Sequence, residues 1–255
     1  MLEIKELAVP GRLSPLCLSV EQPALVALLG ANGSGKSSLL LAMANLLPAS
    51  GAVSLDGRNL LTLSMAEAAC YRAMLPQRQP FLMPLLCHRV LQLGQSMLVG
   101  SETALEQAFT TVVERLELEP LLLRDFSQLS GGEQQRVLLA KTLLQIWPAT
   151  NPHARLLLLD EPLAGLDWHH QLALLGLLAQ LVASGITVIF SVHDFNLALQ
   201  WADKLIALRA GELLAQGAAE LLNEKLIAEL YHVPMQRIEQ DGYRLFLPSR
   251  PKAEA

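Results

Sequence analysis

The segment Gly30–Ser38, with the sequence GANGSGKSS, has the clearest chemical meaning in this chain. It fits the pattern G-x-x-x-x-G-K-[ST], in which a glycine-rich backbone wraps a phosphate and turns its N–H groups inward. In such a loop Lys36 reaches the β- and γ-phosphates, and the Ser37 hydroxyl is placed to ligate Mg²⁺. A strand before the loop and a helix after it disfavour the alternative, a glycine loop without a ligand. The predicted phosphate-binding residues are Gly30, Ala31, Asn32, Gly33, Ser34, Gly35, Lys36, Ser37 and Ser38.

Two adjacent carboxylates form a second candidate site. Four leucines followed by Asp160 and Glu161 predict a buried strand that delivers two acids to its carboxyl end, where ligands bind in doubly wound sheets. Asp160 is suited to holding Mg²⁺, mostly through water. Glu161 is suited to polarising an attacking water. The alternative is that both acids only favour a helix dipole.

Gln77 and His193 are weaker candidates when each is taken alone. Gln77 follows the predicted strand YRAMLPQ and is within expected reach of the metal or the water. His193 follows the apolar strand ITVIFSV, so it lies at the same predicted sheet edge and is a candidate γ-phosphate contact. A single histidine after such a strand is more often a structural residue. We therefore predict Glu161, His193 and Gln77 as catalytic residues and Ser37, Gln77 and Asp160 as metal ligands.

The segment SQLSGGEQQR predicts a second anion site. Ser130, Gly131 and Gly132 directly precede a run that is typical of a helix start, where free backbone N–H groups and the positive end of the dipole attract anions. Phosphoryl transfer needs charge stabilisation all round the transferring group. A second site of this kind suits the far face of a γ-phosphate bound by Lys36.

Strands that alternate with helices predict an α/β fold with a mostly parallel sheet. The predicted strands span residues 24–29, 71–77, 155–162, 186–192 and 204–208. The predicted helices are one over residues 37–47, one that follows Gly132 and ends at about Gln145, one over about 168–184, and a short helix through Trp201. Asp56-Gly57 predicts a tight turn.

A leucine-rich helical insertion is predicted at about 80–128, and with the following helix it forms a helical subdomain at about 80–145. Its clearest amphipathic segment starts at Ser101 and stops at Pro120. Residues from Phe81 to Pro84 are apolar and are a candidate docking surface, although ordinary core packing explains them equally well. A C-terminal hairpin is predicted at about 235–248, around Asp241-Gly242.

Composition excludes several classes of protein. The formal charge of −5 disfavours a nucleic-acid-binding surface, so no nucleic-acid partner is expected. The three cysteines lack metal or redox spacing and are expected to be free thiols in a reducing compartment. No signal peptide is expected at the N-terminus. The uncharged stretch 171–190 is interrupted by Gly185 and reads as a helix followed by a strand, not as a membrane span.

Together these motifs make the chain resemble the nucleotide-binding subunits of ABC transporters, over about residues 1–230. The resemblance implies a P-loop NTPase core, an antiparallel β subdomain near the N-terminus and a helical subdomain that carries the family signature, in one domain covering 1–255. It implies an ATP hydrolase that uses ATP and Mg²⁺. The matching motifs are Walker A at 30–38, the Q-loop at Gln77, the signature LSGGE at 129–133, Walker B ending at Glu161, the D-loop ending at Asp167 and the switch histidine at His193.

The resemblance also implies partners and a location. Two copies of the chain would sandwich two ATP molecules, each held by one phosphate loop and by the partner's signature and D-loop. Two membrane-spanning permease subunits and, indirectly, a periplasmic solute-binding protein are the other expected partners. The chain itself is expected to be peripheral, at the cytoplasmic face of the bacterial inner membrane. The residues expected to act from the partner copy are Ser130, Gly131, Gly132, Glu133 and Asp167.

Departures from the family pattern concern the adenine contact. The family usually places an aromatic residue after its first strand, whereas this chain has LAVPGRLSP, in which Arg12 is a candidate for stacking on the base.

The Pro/Asn loop of LLQIWPATNPHARLLLLDEP and the DGYRLFL hairpin resemble the ATPase subunits of bacterial cobalamin (vitamin B12) importers. Importers of ferric siderophores and haem share this architecture and remain an alternative. A soluble non-transport ABC ATPase is a remote one.

Overall fold

The computed structural model describes residues 1–77, 84–95, 100–240 and 243–249. Its strands are β1 Leu2–Val9, β2 Leu13–Val20, β3 Leu25–Leu29, β4 Ser50–Leu55, β5 Arg58–Asn59, β6 Arg72–Leu75, β7 Leu156–Leu159, β8 Thr187–Ser191, β9 Lys204–Arg209, β10 Glu212–Ala218, β11 Met235–Gln240 and β12 Tyr243–Pro248. Its α-helices are α1 Lys36–Met43, α2 Met65–Tyr71, α3 Cys87–Gln95, α4 Glu102–Arg115, α5 Gly131–Gln145, α6 Trp168–Ala183, α7 Phe195–Trp201 and α8 Glu224–Tyr231.

A six-stranded sheet in the order β10-β9-β3-β8-β7-β6 forms the centre of the protein. All its pairs are parallel except that of β9 with β10 at one edge. Because side chains alternate across a strand, the apolar run of β3 supplies both faces. Leu25, Ala27 and Leu29 pack into the core on the helical side. Val26 and Leu28 pack into the core on the other side. The predicted α/β fold with a mostly parallel sheet is confirmed.

The second face of this sheet is covered by α1 and by an antiparallel sheet of order β2-β1-β4-β5. This sheet is the antiparallel β subdomain that the family resemblance implies. The turn between β4 and β5 is Asp56-Gly57, as predicted. Both residues have positive φ, 49° and 81°, which is the geometry of a two-residue hairpin turn whose twist matches its strands.

Helices α3 to α6 and α8 pack their buried residues on the first face of the central sheet. Helix α5 begins at Gly131, slightly earlier than predicted, because both glycines belong to its first turn and Ser130 caps it. The boundaries predicted for the helical subdomain remain a prediction. The apolar residues Phe81, Leu82 and Met83, which we proposed as a docking surface, lie outside the described residues, as does the turn Asp241-Gly242.

Two helices end earlier than their apolar patterns predict. Helix α1 ends at Met43, not Leu47, because Asn45 takes a left-handed conformation with φ 56° and its side chain donates to the carbonyls of Leu60 and Leu63. Helix α4 ends at Arg115, before the predicted stop at Pro120. Glu117, at φ 50°, turns the chain there. The left-handed conformation suits Asn45, because asparagine is one of the few non-glycine residues that adopt it routinely.

The uncharged stretch that we predicted to be a helix and a strand is α6 followed by β8. Gly185 separates them at φ 94°, as its position in the sequence indicated. None of the helices in the described part of the chain is long and apolar enough to cross a bilayer.

Phe190 lies in β8, and replacing it measures how much its packing in the core contributes to stability. Its side chain is 0 % exposed. We expect Phe190→Ala to lower the free energy of unfolding by about 3–5 kcal/mol, because it removes a large buried group and leaves a cavity. Urea denaturation measures the change. Leu172→Ala, at a position 48 % exposed on α6, is the control and should cost below about 1 kcal/mol. A similar loss for both variants would contradict this account of the core.

Candidate functional site

The loop between β3 and α1 has the conformation of a phosphate cradle. Gly30, Gly33 and Gly35 have φ values of 153°, 79° and 103°, which L side chains rarely adopt. A Cβ at Gly30 would lie 2.4 Å from the Leu208 carbonyl oxygen, and one at Gly35 would lie 2.8 Å from the Leu13 side chain. The glycines therefore serve both the turn and the close packing of the loop.

Lys36 is buried at the start of α1 and points back into its own loop. Its Nζ donates to the carbonyl oxygens of Gly30 at 2.7 Å and of Ala31 at 3.1 Å. Burial lowers the pKa of this ammonium, while the nearby charges of Glu161 and Asp160 act to raise it. Lys36 is therefore a desolvated cation whose hydrogen-bond partners are neutral carbonyls, so an anion that binds beside it is strongly favoured.

Asp160 and Glu161 follow β7 at the carboxyl edge of the sheet, where we predicted them. Asp160 is 2 % exposed, and its Oδ1 accepts a hydrogen bond from the Ser191 hydroxyl at 2.7 Å. The same hydroxyl accepts from the backbone N–H of Glu161, also at 2.7 Å. Glu161 has a φ of 51°, so the chain turns sharply at this residue. Ser191 thus fixes both acids.

Ser191 was not among the residues that we predicted for this site. The available signal was its position at the end of β8, directly beside β7, two residues before His193. His193 was predicted at this edge, and its Nε2 lies 3.0 Å from Glu161 Oε1.

These groups surround a cavity of about 650 Å³. It brings together the glycine loop, Gln77, Glu161 and His193, which lie far apart in the sequence. Arg12, the candidate for the adenine contact, also lines it. Gly30, Ala31 and the buried Asp160 are not among its lining residues. The lining residues are Gly11, Arg12, Asn32, Gly33, Ser34, Gly35, Lys36, Ser37, Ser38, Gln77, Glu161, His193 and Ala210.

The signature residues lie at the start of α5 and do not line this cavity. Ser130 and Glu133 form a capping box, in which the Ser130 N–H donates to Glu133 Oε2 at 2.7 Å and the Glu133 N–H donates to Ser130 Oγ at 3.4 Å. The hydrogen bonds from Ser130 lower the pKa of the Glu133 carboxyl, and Arg124 at 3.0 Å adds to the effect. Glu133 therefore acts within its own chain as a cap.

Asp167 caps α6 and also lies away from the cavity. Its Oδ1 accepts from the backbone N–H of His170 at 2.9 Å, and this bond is the main cause of its lowered pKa. The D-loop is packed directly against the signature, since a Cβ at Gly132 would lie 2.7 Å from the Gly165 carbonyl oxygen. The two segments that we expected to act in trans therefore form one continuous surface.

A metal ion held by protein groups alone has no candidate among the described residues. No group of three or more His, Cys, Asp or Glu side chains in that part of the chain is arranged to bind one. The oxygen donors that line the cavity include the hydroxyl of Ser37, the amide of Gln77 and the carboxylate of Glu161. Such a set suits an ion that completes its coordination with water and phosphate.

Comparison with known proteins identifies relatives over most of the chain. A family model described as "ABC transporter" matches residues 13–164. The chain is 41 % identical to a vitamin B12 import ATP-binding protein of Pectobacterium atrosepticum, covering 94 % of this chain and 96 % of that protein. It is 39 % identical to the protein of that name from Yersinia enterocolitica, covering 92 % and 93 %. A solved ATP-binding subunit of an ABC transporter superposes with a TM-score of 0.79 at 25 % identity, covering 91 % and 98 %.

Ser191 provides a test of this site in the absence of any ligand. We expect Ser191→Ala to lower the free energy of unfolding by about 1–3 kcal/mol, because it leaves the buried Asp160 carboxylate without its donor and Glu161 N–H without its acceptor. Urea denaturation measures the change. The control is Ser184→Ala, whose exposed hydroxyl donates to the Gln180 carbonyl, and it should cost below about 0.5 kcal/mol. Equal stability of the two variants would show that Ser191 does not hold the acids.

Proposed function

The chain belongs to the ABC transporter family, and on that premise we propose that it is the ATP-hydrolysing subunit of an importer that carries vitamin B12 across the bacterial inner membrane. The choice of solute is supported by relatives with that printed function. They cover 92–97 % of this chain, so the similarity extends well beyond the shared motifs. The proposal that the chain hydrolyses ATP is supported by one observation: Lys36, Glu161 and His193 line the same cavity.

Lys36 and the glycine loop are proposed to bind the triphosphate of ATP. Lys36 exchanges its bonds to the Gly30 and Ala31 carbonyls for phosphate oxygens, and the anion stabilises the charged form of this desolvated ammonium. The free N–H groups at the start of α1 face the same cavity. Ser34 fits this role too, since its hydroxyl is buried without a partner among the described residues.

Ser37, Gln77 and Asp160 are the proposed ligands of Mg²⁺, with Asp160 acting mostly through water. Their hydroxyl, amide and carboxylate oxygens are the hard donors that this ion prefers. When bound with ATP, Mg²⁺ supplies charge neutralisation at the phosphate oxygens. Asp160 keeps its position because Ser191 donates to one of its oxygens and leaves the other available.

Glu161 is the proposed group that polarises the attacking water, and His193 is the proposed contact of the γ-phosphate. In the structure these two side chains are bonded to each other at 3.0 Å. The backbone N–H of Glu161 donates to the Ser191 hydroxyl, and this bond holds Glu161 at the cavity wall. A water between Glu161 and the γ-phosphate is then activated in line with the leaving group.

The working form is proposed to be a homodimer. The residues Ser130, Gly131, Gly132, Glu133 and Asp167 do not line the cavity of their own chain. The first N–H groups of α5 have no intrahelical partner, and Ser130 and Gly131 are exposed. A second copy related by a twofold axis brings this helix start to the far side of the γ-phosphate.

The remaining proposed partners are two membrane-spanning permease subunits, which dock on the cytoplasmic side. Leu123 is 80 % exposed and Leu86 is 40 % exposed, and both belong to the helical insertion at about 80–128, which we propose as the part of the chain that docks on the permeases. A periplasmic solute-binding protein delivers the solute to the permeases and does not contact this chain. The chain itself is then peripheral, on the cytoplasmic face of the inner membrane.

Glu161→Gln tests the proposed chemistry. We expect kcat for ATP hydrolysis to fall by roughly 10²–10⁴-fold, because the amide cannot act as a base, while the affinity for MgATP stays within about twofold. Phosphate release and calorimetric titration measure the two quantities. Glu229→Gln, which removes a surface carboxylate paired with Arg209 at 2.8 Å, is the control and should hydrolyse normally. Lys36→Met should instead weaken ATP binding. Wild-type turnover in Glu161→Gln would exclude this residue as the base.

Gly131→Gln tests the dimer. A Cβ at Gly131 meets nothing within 4 Å, so the variant folds normally and its side chain obstructs only a partner. We expect normal ATP binding by the monomer, loss of ATP-driven dimerisation in light scattering, and at least roughly 10²-fold slower hydrolysis. Gly176→Gln is the matched control, since Gly176 also lies in a helix with open space at its Cβ. Full dimerisation of Gly131→Gln with ATP would contradict the divided site.

A further inference from the structure

The C-terminal hairpin is joined to the helix that follows His193. The side chain of Asn196 donates from Nδ2 to the Phe246 carbonyl oxygen at 3.0 Å and accepts the Phe246 N–H on Oδ1 at 2.8 Å. The Asn196 side chain thus pairs with both backbone groups of Phe246, as the backbone of a neighbouring strand would. The two residues are 50 positions apart, and Phe246 is fully buried.

Asn196 lies in the first turn of α7, three residues after His193. The carboxylate of Asp194 accepts from the backbone N–H groups of Asn196 at 2.9 Å and Leu197 at 3.0 Å, so it caps this helix. The start of α7 is therefore fixed locally by Asp194 and from a distance by the hairpin. His193 sits between this doubly held turn and the end of β8.

Aromatic packing connects the same segment to the glycine loop. The Phe195 ring lies 6.4 Å from Phe246 and 5.8 Å from Tyr231, between centroids. Burial raises the pKa of the Tyr231 hydroxyl, which also faces the backbone of Gly30. Hence α8 and the hairpin both contact the segment that carries His193, and α8 also lies beside the phosphate loop at Gly30.

We infer that the C-terminal hairpin positions His193 for catalysis, with Asn196 as the positioning residue. This inference rests on the proposed role of His193 at the γ-phosphate. Asn196 does not line the cavity and contacts no reacting group. It acts by setting the first turn of α7, and that turn sets the direction in which His193 presents Nε2 to Glu161 and to the phosphate. A small misplacement of such a group has a large effect on rate.

The test uses the full chain with Asn196→Ala. We expect kcat for ATP hydrolysis to fall roughly 10- to 100-fold, with KM for ATP within about twofold, and the NMR signal of the His193 ring to shift. Asn59→Ala is the matched control, since its Oδ1 also accepts two backbone N–H groups, from Val53 and Leu61, in the antiparallel sheet. It should change neither kcat nor the His193 signal. If the alanine variant does not fold, Asn196→Asp, which keeps the acceptor for Phe246 N–H, replaces it with a smaller expected loss.

A double-mutant cycle separates positioning from general loosening of the fold. In a His193→Ala background, Asn196→Ala should slow hydrolysis by less than about twofold further, because the group that it positions is already gone. An equal fold-loss in both backgrounds, wild-type kcat in Asn196→Ala, or an unmoved His193 signal would each overturn the inference. Wild-type turnover in His193→Ala alone would instead remove the proposed role of His193, which is a different outcome.

Discussion

One buried hydroxyl holds the active edge of this protein together. Ser191 donates to the carboxylate of Asp160 and accepts from the backbone of Glu161, so it joins the carboxyl ends of β7 and β8. A carboxylate that is almost fully buried needs such a donor, because an unpaired one would cost more than the fold gains from placing it there. With this bond made, the parallel sheet presents Glu161 beside His193 and opposite Lys36. The glycine loop, the acids and the histidine then share one cavity.

The signature at the start of α5 follows a different constraint. Its capping box pairs the N–H groups of Ser130 and Glu133 within the chain, so this helix start is held in place before any ligand binds. The close approach of Gly132 to the Gly165 carbonyl ties it to the D-loop. A substitution at Gly132 therefore disturbs the chain itself, whereas one at Gly131 affects only what approaches from outside. The proposed partner copy would meet a preformed surface that includes both motifs, and little ordering free energy is lost on association.

Local sequence signals predict most of this fold, because they depend on neighbouring residues. The glycine pattern, the four leucines before Asp160 and the Asp56-Gly57 turn each act within a few positions. The ends of α1 and α4 were wrong because the left-handed conformations of Asn45 and Glu117 oppose an apolar pattern that favours continuation. Ser191 and Asn196 were not predicted, since their partners are 31 and 50 residues away and only the folded chain brings them together. An isolated serine or asparagine carries no pattern until the sheet order is known. The roles of the site residues stay predictions.

Three of the groups proposed to act on ATP already have a partner within the protein. Lys36 donates to two carbonyls of its own loop, Glu161 is bonded to His193, and Ser130 is bonded to Glu133. Binding and catalysis therefore exchange hydrogen bonds and do not simply add them, and the net gain from each exchange is small because one bond replaces another. The phosphate charges make the difference at Lys36, since a charged acceptor replaces a neutral one. At Glu161 the exchange frees the carboxylate only when His193 finds another partner. In the proposed mechanism the γ-phosphate is such a partner, so this mechanism links release of the base to the presence of the substrate.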